Sequence, residues 1–181
     1  MAFLFRLTLV GWLSLVTCLA QTPTLIKPQT KFPQSADVAT IAGIMKASYE
    51  VVSGEAGAPR QWERDASLHN PNAVYSYQKA TTNGQTRQST MSLKDFHKQT
   101  DNMILTTAFY ENEINREVRV FGNIAHVWST YETRLIKDGP VVRRGINSVQ
   151  LYFEDGRWWI VSWTFDRERQ TTPIPASFDP H

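Results

Sequence analysis

The 181-residue chain has one cysteine, Cys18, and it lies within the first twenty residues. It has no marked excess of either charge, with 19 Lys+Arg against 17 Asp+Glu. Its longest apolar run, residues 7–20, is short of the ~20 residues that a membrane-spanning helix needs. Each shortage excludes something. A lone cysteine builds neither a disulfide framework nor a thiolate metal site. A chain without a basic block lacks the electrostatic footprint of a nucleic-acid binder. The histidines, His69, His97, His126 and His181, form neither HxH nor HExxH, so no metal is expected. G-x-S-x-G, P-loop and G-x-G-x-x-G patterns are missing too, and no cofactor is expected. Neither Asn83 nor Asn123 opens a glycosylation sequon.

What is present begins with an export pattern. "MAFLFR" is a short basic start, and "LTLVGWLSLVTCLA" follows it. Cys18 and Ala20 place small residues at −3 and −1 of a cut before Gln21, so residues 1–20 read as a cleaved secretory signal. An uncleaved anchor is the alternative, and Val16 and Thr17 fit a lipoprotein cut before Cys18 poorly. Cleavage would remove the only cysteine and leave 18 Lys+Arg against 17 Asp+Glu. A secreted chain without disulfides suits a bacterial periplasm. No membrane association is expected after cleavage.

Residues 21–35 hold three prolines and read as a flexible lead-in. Val38, Ile41, Met45 and Val52 follow helical spacing, which predicts a helix over 36–53 capped by Ser35. Pro59 precedes a second short helix, "RQWERDASLH", and "HNPNA" reads as a turn. "AVYSYQ" and "RQSTMS" read as two strands around "TTNGQT". Ser92 and Asp95 resemble a capping pair for a third helix over 93–105. From Phe109 to about Arg167 the period becomes two, with turns at Gly122-Asn123, Asp138-Gly139 and Asp155-Gly156. Residues 169–181 form a Pro-rich tail with no evident core role. The layout is α+β, one sheet with helices on one face.

Two-residue turns at all three positions set a register. Arg116 then faces Ser129, Ser129 faces Ser148, and Ser148 faces Trp163. Tyr131, Gln150 and Phe165 share that face, which should meet the helices. His126, Trp128 and Trp158 fall on the other. The second face is apolar along its last two strands, which predicts a covering layer, and a two-fold homodimer would supply it.

The polar row on the inner face is the candidate ligand site: Arg116, Ser129, Tyr131, Ser148, Gln150, Trp163 and Phe165. Arg116 would hold a carboxylate or enolate, with Trp163, Phe165 and Tyr131 as an apolar wall. Alternatively Arg116 pairs with a helix carboxylate, Asp95 or Asp101, and braces the sheet. His126, Trp128 and Trp158 are the candidate interface. If the protein is an enzyme, His97, His69 or Asp95 is the expected base, with Tyr131 or Arg116 stabilising negative charge.

"WERDASLHNPNAV", "FGNIAHVWSTYETR" and "RRGINSVQLYFEDGRWWIVSWTFDRE" together resemble the nuclear-transport-factor-2-like (NTF2-like, SnoaL-like) superfamily, in a bacterial branch of unassigned function. The resemblance covers residues 36–168, and "GRWWIVS" after a hairpin is its most specific mark. It implies an α+β cone: three N-terminal helices packed on a strongly curved antiparallel sheet that encloses a cavity, often in homodimers. Isomerases and cyclases of the superfamily place an aspartate or histidine base in that cavity. On the register above, the strands offer no inner carboxylate, and Asp166 falls on the outer face. The resemblance therefore implies a small-molecule ligand, with isomerase, cyclase or dehydratase chemistry and a non-catalytic interaction module as alternatives.

Overall fold

A computed structural model describes residues 32–83 and 85–180 of the chain. The signal segment 1–20 and residues 21–31 of the lead-in lie outside the described residues. Four helices and six strands follow: α1 (Ser35–Val38), α2 (Ile41–Val52), α3 (Trp62–Leu68), β1 (His69–Ala80), β2 (Thr86–Ser92), α4 (Leu93–Thr106), β3 (Tyr110–Phe121), β4 (Ile124–Arg134), β5 (Arg143–Glu154) and β6 (Arg157–Arg167). No helix among them is long and apolar enough to cross a membrane.

The expected first helix is two. The break falls at Ala39-Thr40, where Thr40 is extended and its Oγ1 caps α2 by accepting from Gly43 N at 2.9 Å. Ile44, Met45, Ser48 and Tyr49 then form the buried stripe of α2. Ser92 caps α4 as expected, accepting from Asp95 N at 3.2 Å. That helix lies between β2 and β3, so the helices are not all N-terminal. "HNPNA" is not a turn but the irregular start of β1.

The six strands form one open sheet in the order β2-β1-β6-β5-β4-β3. It is not wholly antiparallel, because β1 runs parallel to β6. Its inner face carries Val127, Val149, Leu151, Ile160 and Trp163 against Ile44, Met45 and Leu68 of the helices.

Three departures from the expected register reorganise that face. The β4–β5 connection is not a two-residue turn. Gly139 N donates to Ile136 O at 2.9 Å, Val142 N donates to Thr133 O at 2.9 Å, and Thr133 pairs with Arg143. This shifts β5 by one residue, and a one-residue slip reverses every side chain. Ser129 therefore faces Asn147, while Ser148 and Gln150 turn outward. A bulge at Val161 then reverses β6, which returns Trp163 and Phe165 to the inner face. Before that bulge β6 has the other parity, so Trp158 packs against the core and not on the outer face.

The third departure is a bulge at Ile114, between Glu113 and Asn115. It brings Glu113 opposite Tyr131 and Glu111 opposite Thr133, on the inner side of the sheet. Arg116 finds its partner there. Its guanidinium forms an ion pair with Glu113, with Nε donating to Oε1 at 2.9 Å and to Oε2 at 3.0 Å. Neither Asp95 nor Asp101 is involved.

The outer face is partly covered by the chain itself. Residues 168–180 fold back over it: Thr130 Oγ1 donates to Phe178 O at 2.8 Å, Phe178 lies 5.9 Å from the Trp128 ring, and Arg144 pairs with Asp179 at 2.6 Å.

Replacing Glu113 with alanine leaves the Arg116 charge half-buried without its partner. We expect a loss of about 2 kcal/mol in urea unfolding, below the ~3–5 kcal/mol of a fully buried pair. The double variant Glu113→Ala/Arg116→Ala should recover part of it.

Candidate functional site

A partly open cavity of about 390 Å³ lies between the inner face and helices α2, α3 and α4. That is within the size range of small-molecule sites. One wall is aromatic. Tyr75 stacks on Phe96 at 4.4 Å and parallels Trp163 at 6.1 Å, and Tyr77 stacks on Phe165 at 5.2 Å. These rings come from β1, β6 and α4, and the shared register of β1 and β6 pairs Tyr75 with Trp163 and Tyr77 with Phe165.

Tyr75 is held from behind. Its hydroxyl lies 2.9 Å from His69 Nε2, and His69 Nδ1 lies 2.7 Å from Asp65 O. A carbonyl oxygen only accepts, so Nδ1 carries the proton and Nε2 accepts from the tyrosine. Burial lowers the His69 pKa, which keeps the ring neutral. The Asp65 carboxylate meets His97 Nε2 at 2.6 Å, and Trp62 stacks on His97 at 4.1 Å. His69 and His97 therefore brace α3, α4 and β1 behind the wall. Asp95 is exposed at the start of α4.

The floor is polar and linked by a chain of hydrogen bonds. Trp163 Nε1 donates to Asn147 Oδ1 at 3.0 Å, and Asn147 Nδ2 donates to the Tyr49 hydroxyl at 2.8 Å. Ser129 Oγ lies 2.6 Å from that hydroxyl and donates to Glu113 Oε1 at 2.5 Å. Ser129 gives its proton to the carboxylate, so Tyr49 gives its own to Ser129. Burial raises the Tyr49 pKa and keeps the phenol protonated. Asn147 lines the cavity, whereas Ser129, Glu113 and Arg116 stand behind it.

The far end is different. Glu111 lines the cavity beside Tyr131, Arg143 and Arg167. Burial pushes the Glu111 carboxyl up to about 7. A hydrogen bond from Thr133 Oγ1 at 3.3 Å and the charges of Arg143 and Arg167 pull the other way and only partly offset it. Burial also raises the Tyr131 pKa, which keeps that phenol protonated. Gly145 makes room for it, since a Cβ there would lie 2.6 Å from the Tyr131 hydroxyl oxygen.

Of the residues expected to line a ligand site, Tyr131, Trp163 and Phe165 line this cavity. Arg116 and Ser129 share their face without reaching the cavity. Ser148 lies outside the cavity, 3.0 Å from His126 Nε2, and Gln150 is exposed on the outer face. His126 and Trp128 are on the outer face, with ring centroids 5.9 Å apart. Sequence reasoning missed Glu111, Asn147, Arg143 and Arg167. One signal for Glu111 was available. An arginine on a buried strand face needs a carboxylate, and Glu113 can reach Arg116 across three residues only through a bulge. That bulge carries Glu111 inward as well. No group of three or more metal-ligating side chains occurs among the described residues.

No protein-family profile matches the chain, and no curated protein does. Solved structures do. An NTF2-like protein of unknown function from Shewanella baltica is 14% identical, with TM-score 0.50, over 78% of this chain and 100% of its own. The chain has the NTF2-like fold. Two further matches are a candidate ketosteroid isomerase from Parabacteroides distasonis and a candidate aromatic ring hydroxylase from Novosphingobium aromaticivorans. The first is 14% identical, TM-score 0.50, over 71% of this chain and 88% of its own. The second is 16% identical, TM-score 0.51, over 70% and 85%. At these identities the likeness concerns the fold.

The Glu111 carboxyl should leave a pH signature. A carboxyl whose folded pKa lies above its unfolded value, here about 7 against 4.5, binds more protons when folded. Its contribution is most favourable below about 4.5 and falls as pH rises through about 7. Between pH 5 and 8 the wild-type chain should lose on the order of 2 kcal/mol more than Glu111→Gln in urea unfolding.

Proposed function

We propose that the protein binds a small, partly apolar molecule in this cavity and that Glu111 moves a proton on it. The observation that carries the reading is a carboxyl, raised by burial to about 7, that lines a cavity with an aromatic wall beside Tyr131, Arg143 and Arg167. A group of that acidity is divided between base and acid near neutral pH, where general acid–base catalysis is most effective. As base, Glu111 takes a proton from carbon next to a carbonyl, and the electron pair passes onto the carbonyl oxygen. The protonated Tyr131 hydroxyl and the adjacent guanidiniums stabilise that oxygen. Returning the proton to another carbon completes an isomerisation. Losing a hydroxide, protonated as it leaves, completes a dehydration.

The test is deuterium uptake. A panel of aryl ketones and aryl-substituted acids is incubated with the protein in D₂O, and exchange next to the carbonyl is read by NMR. We expect exchange for at least one compound, a fall of about 10²-fold or more in Glu111→Gln, and a rate that follows ionisation near pH 7. Exchange that persists in Glu111→Gln would remove Glu111 from the role.

The protein is further proposed to act after export, in a periplasm or outside the cell, as a homodimer. Residues 1–20 support export. Phe121, Ile124 and Tyr152 support the dimer: they leave an exposed apolar strip at the β3–β4 end of the outer face, beyond the C-terminal segment. Sedimentation should give a dimer, and Phe121→Asp should shift it to monomer.

A further inference from the structure

The cavity holds more cation than its structure uses. Three basic side chains line it, Lys79, Arg143 and Arg167, against one acid, Glu111. The two arginines are brought together by the sheet. Arg143 pairs with Thr133 at the start of β5, and Arg167 pairs with Gly145 at the end of β6, so they stand two residues apart on neighbouring strands. They oppose each other: burial and then the Arg167 charge lower the Arg143 pKa. Among the described residues, neither guanidinium has a hydrogen-bond partner or an ion pair within 4 Å.

Every other well-placed arginine in the domain is used. Arg60 donates to four backbone carbonyl groups, Arg64 grips Asp37 with two parallel bonds, and Arg116 holds Glu113. Within the cavity lining the one compensating charge is Glu111, which interacts with both arginines and is about half protonated at neutral pH, while Asp166 interacts with Arg167 alone and is already gripped by Arg169. Two uncommitted guanidiniums beside a half-neutral acid, opening into an aromatic cavity, describe an anion subsite.

We propose that Arg143 and Arg167 bind the carboxylate of an aryl or arylalkyl carboxylic acid, with its apolar body against Tyr75, Tyr77, Trp163 and Phe165. This rests on the cavity being a ligand site and adds the ligand's charge and orientation. The carboxylate sits at the Glu111 end, so a reacting carbon lies close to it. A bound anion favours protonated Glu111, and binding therefore takes up a proton. Affinity for the anion rises as pH falls from 8 to 6.

The experiment uses 1-naphthylacetate and its neutral amide, 1-naphthylacetamide, with the fluorescence of the cavity tryptophans Trp62 and Trp163 and calorimetry as readouts. Wild type should bind the acid at least ten-fold more tightly than the amide at pH 6, with a smaller ratio at pH 8. Arg143→Gln/Arg167→Gln should abolish that preference by lowering affinity for the acid far more than for the amide. Arg167→Gln alone, at an exposed side chain, should reduce it in a chain that keeps its melting temperature. Glu111→Gln should flatten the pH dependence. Equal binding of acid and amide by wild type overturns the anion subsite and leaves the cavity as a ligand site. A preference that survives the double substitution assigns the anion to other residues and overturns it too. Failure of both compounds to bind overturns the cavity reading along with the subsite.

Discussion

One extra residue in β3 governs the polar interior of this domain. Ile114 is bulged out of register, and strand alternation reverses across it. Without that bulge, Glu111 and Glu113 would lie on the outer face and Arg116 would face the core alone. With it, Glu113 neutralises Arg116 and receives the Ser129 proton, and Glu111 enters the cavity. A half-buried guanidinium without a partner costs about 2 kcal/mol, so the arginine and the bulge support each other.

The same bulge separates two carboxylates that differ by two positions. Glu113 is ion-paired and hydrogen-bonded, and its negative charge is consumed by structure. Glu111 has one hydrogen bond from a threonine and two cations not in contact with it, too little to offset its burial. Environment alone commits one carboxylate to architecture and leaves the other able to gain or lose a proton.

Much of the fold was legible because its signals are local. Ser92 caps α4 and the Asp155-Gly156 turn sets Glu154 opposite Arg157, both as expected, whereas Ser35 is the first residue of α1 and not its cap, and α1 and α3 begin after Gln34 and Gln61 without a side-chain cap. The candidate site was less legible because register accumulates errors. The slip at the β4–β5 connection sent Ser148 and Gln150 outward. It reversed β5 and β6 together, and the bulge at Val161 reversed β6 back. Trp163 and Phe165 reached the expected face through two departures that cancel. Neither bulge has a glycine or proline to mark it. Asn147 and Arg143 moved inward by the same slip, so no reading based on two-residue turns could have placed them. The C-terminal segment was illegible for another reason. Its hold on the sheet runs through a backbone carbonyl of Phe178 and a salt bridge from Arg144, contacts without periodicity.

Hydrogen-bond accounting then gives the cavity a direction. From Trp163 through Asn147, Tyr49 and Ser129 to Glu113, every link is made by a donor directed at an acceptor, and the chain ends on a carboxylate that Arg116 completes. A ligand gains little there, because any new bond would displace an existing one. The aromatic wall offers area without direction. Unused capacity lies at the Glu111 end, in two guanidiniums, the Tyr131 hydroxyl and a carboxyl able to gain or lose a proton. A molecule with one polar end and one apolar end can satisfy both regions in a single orientation. On the proposed reading the committed floor is what orients the ligand, and Arg116 and Ser129 of the polar row read from the sequence serve the site by being unavailable to it.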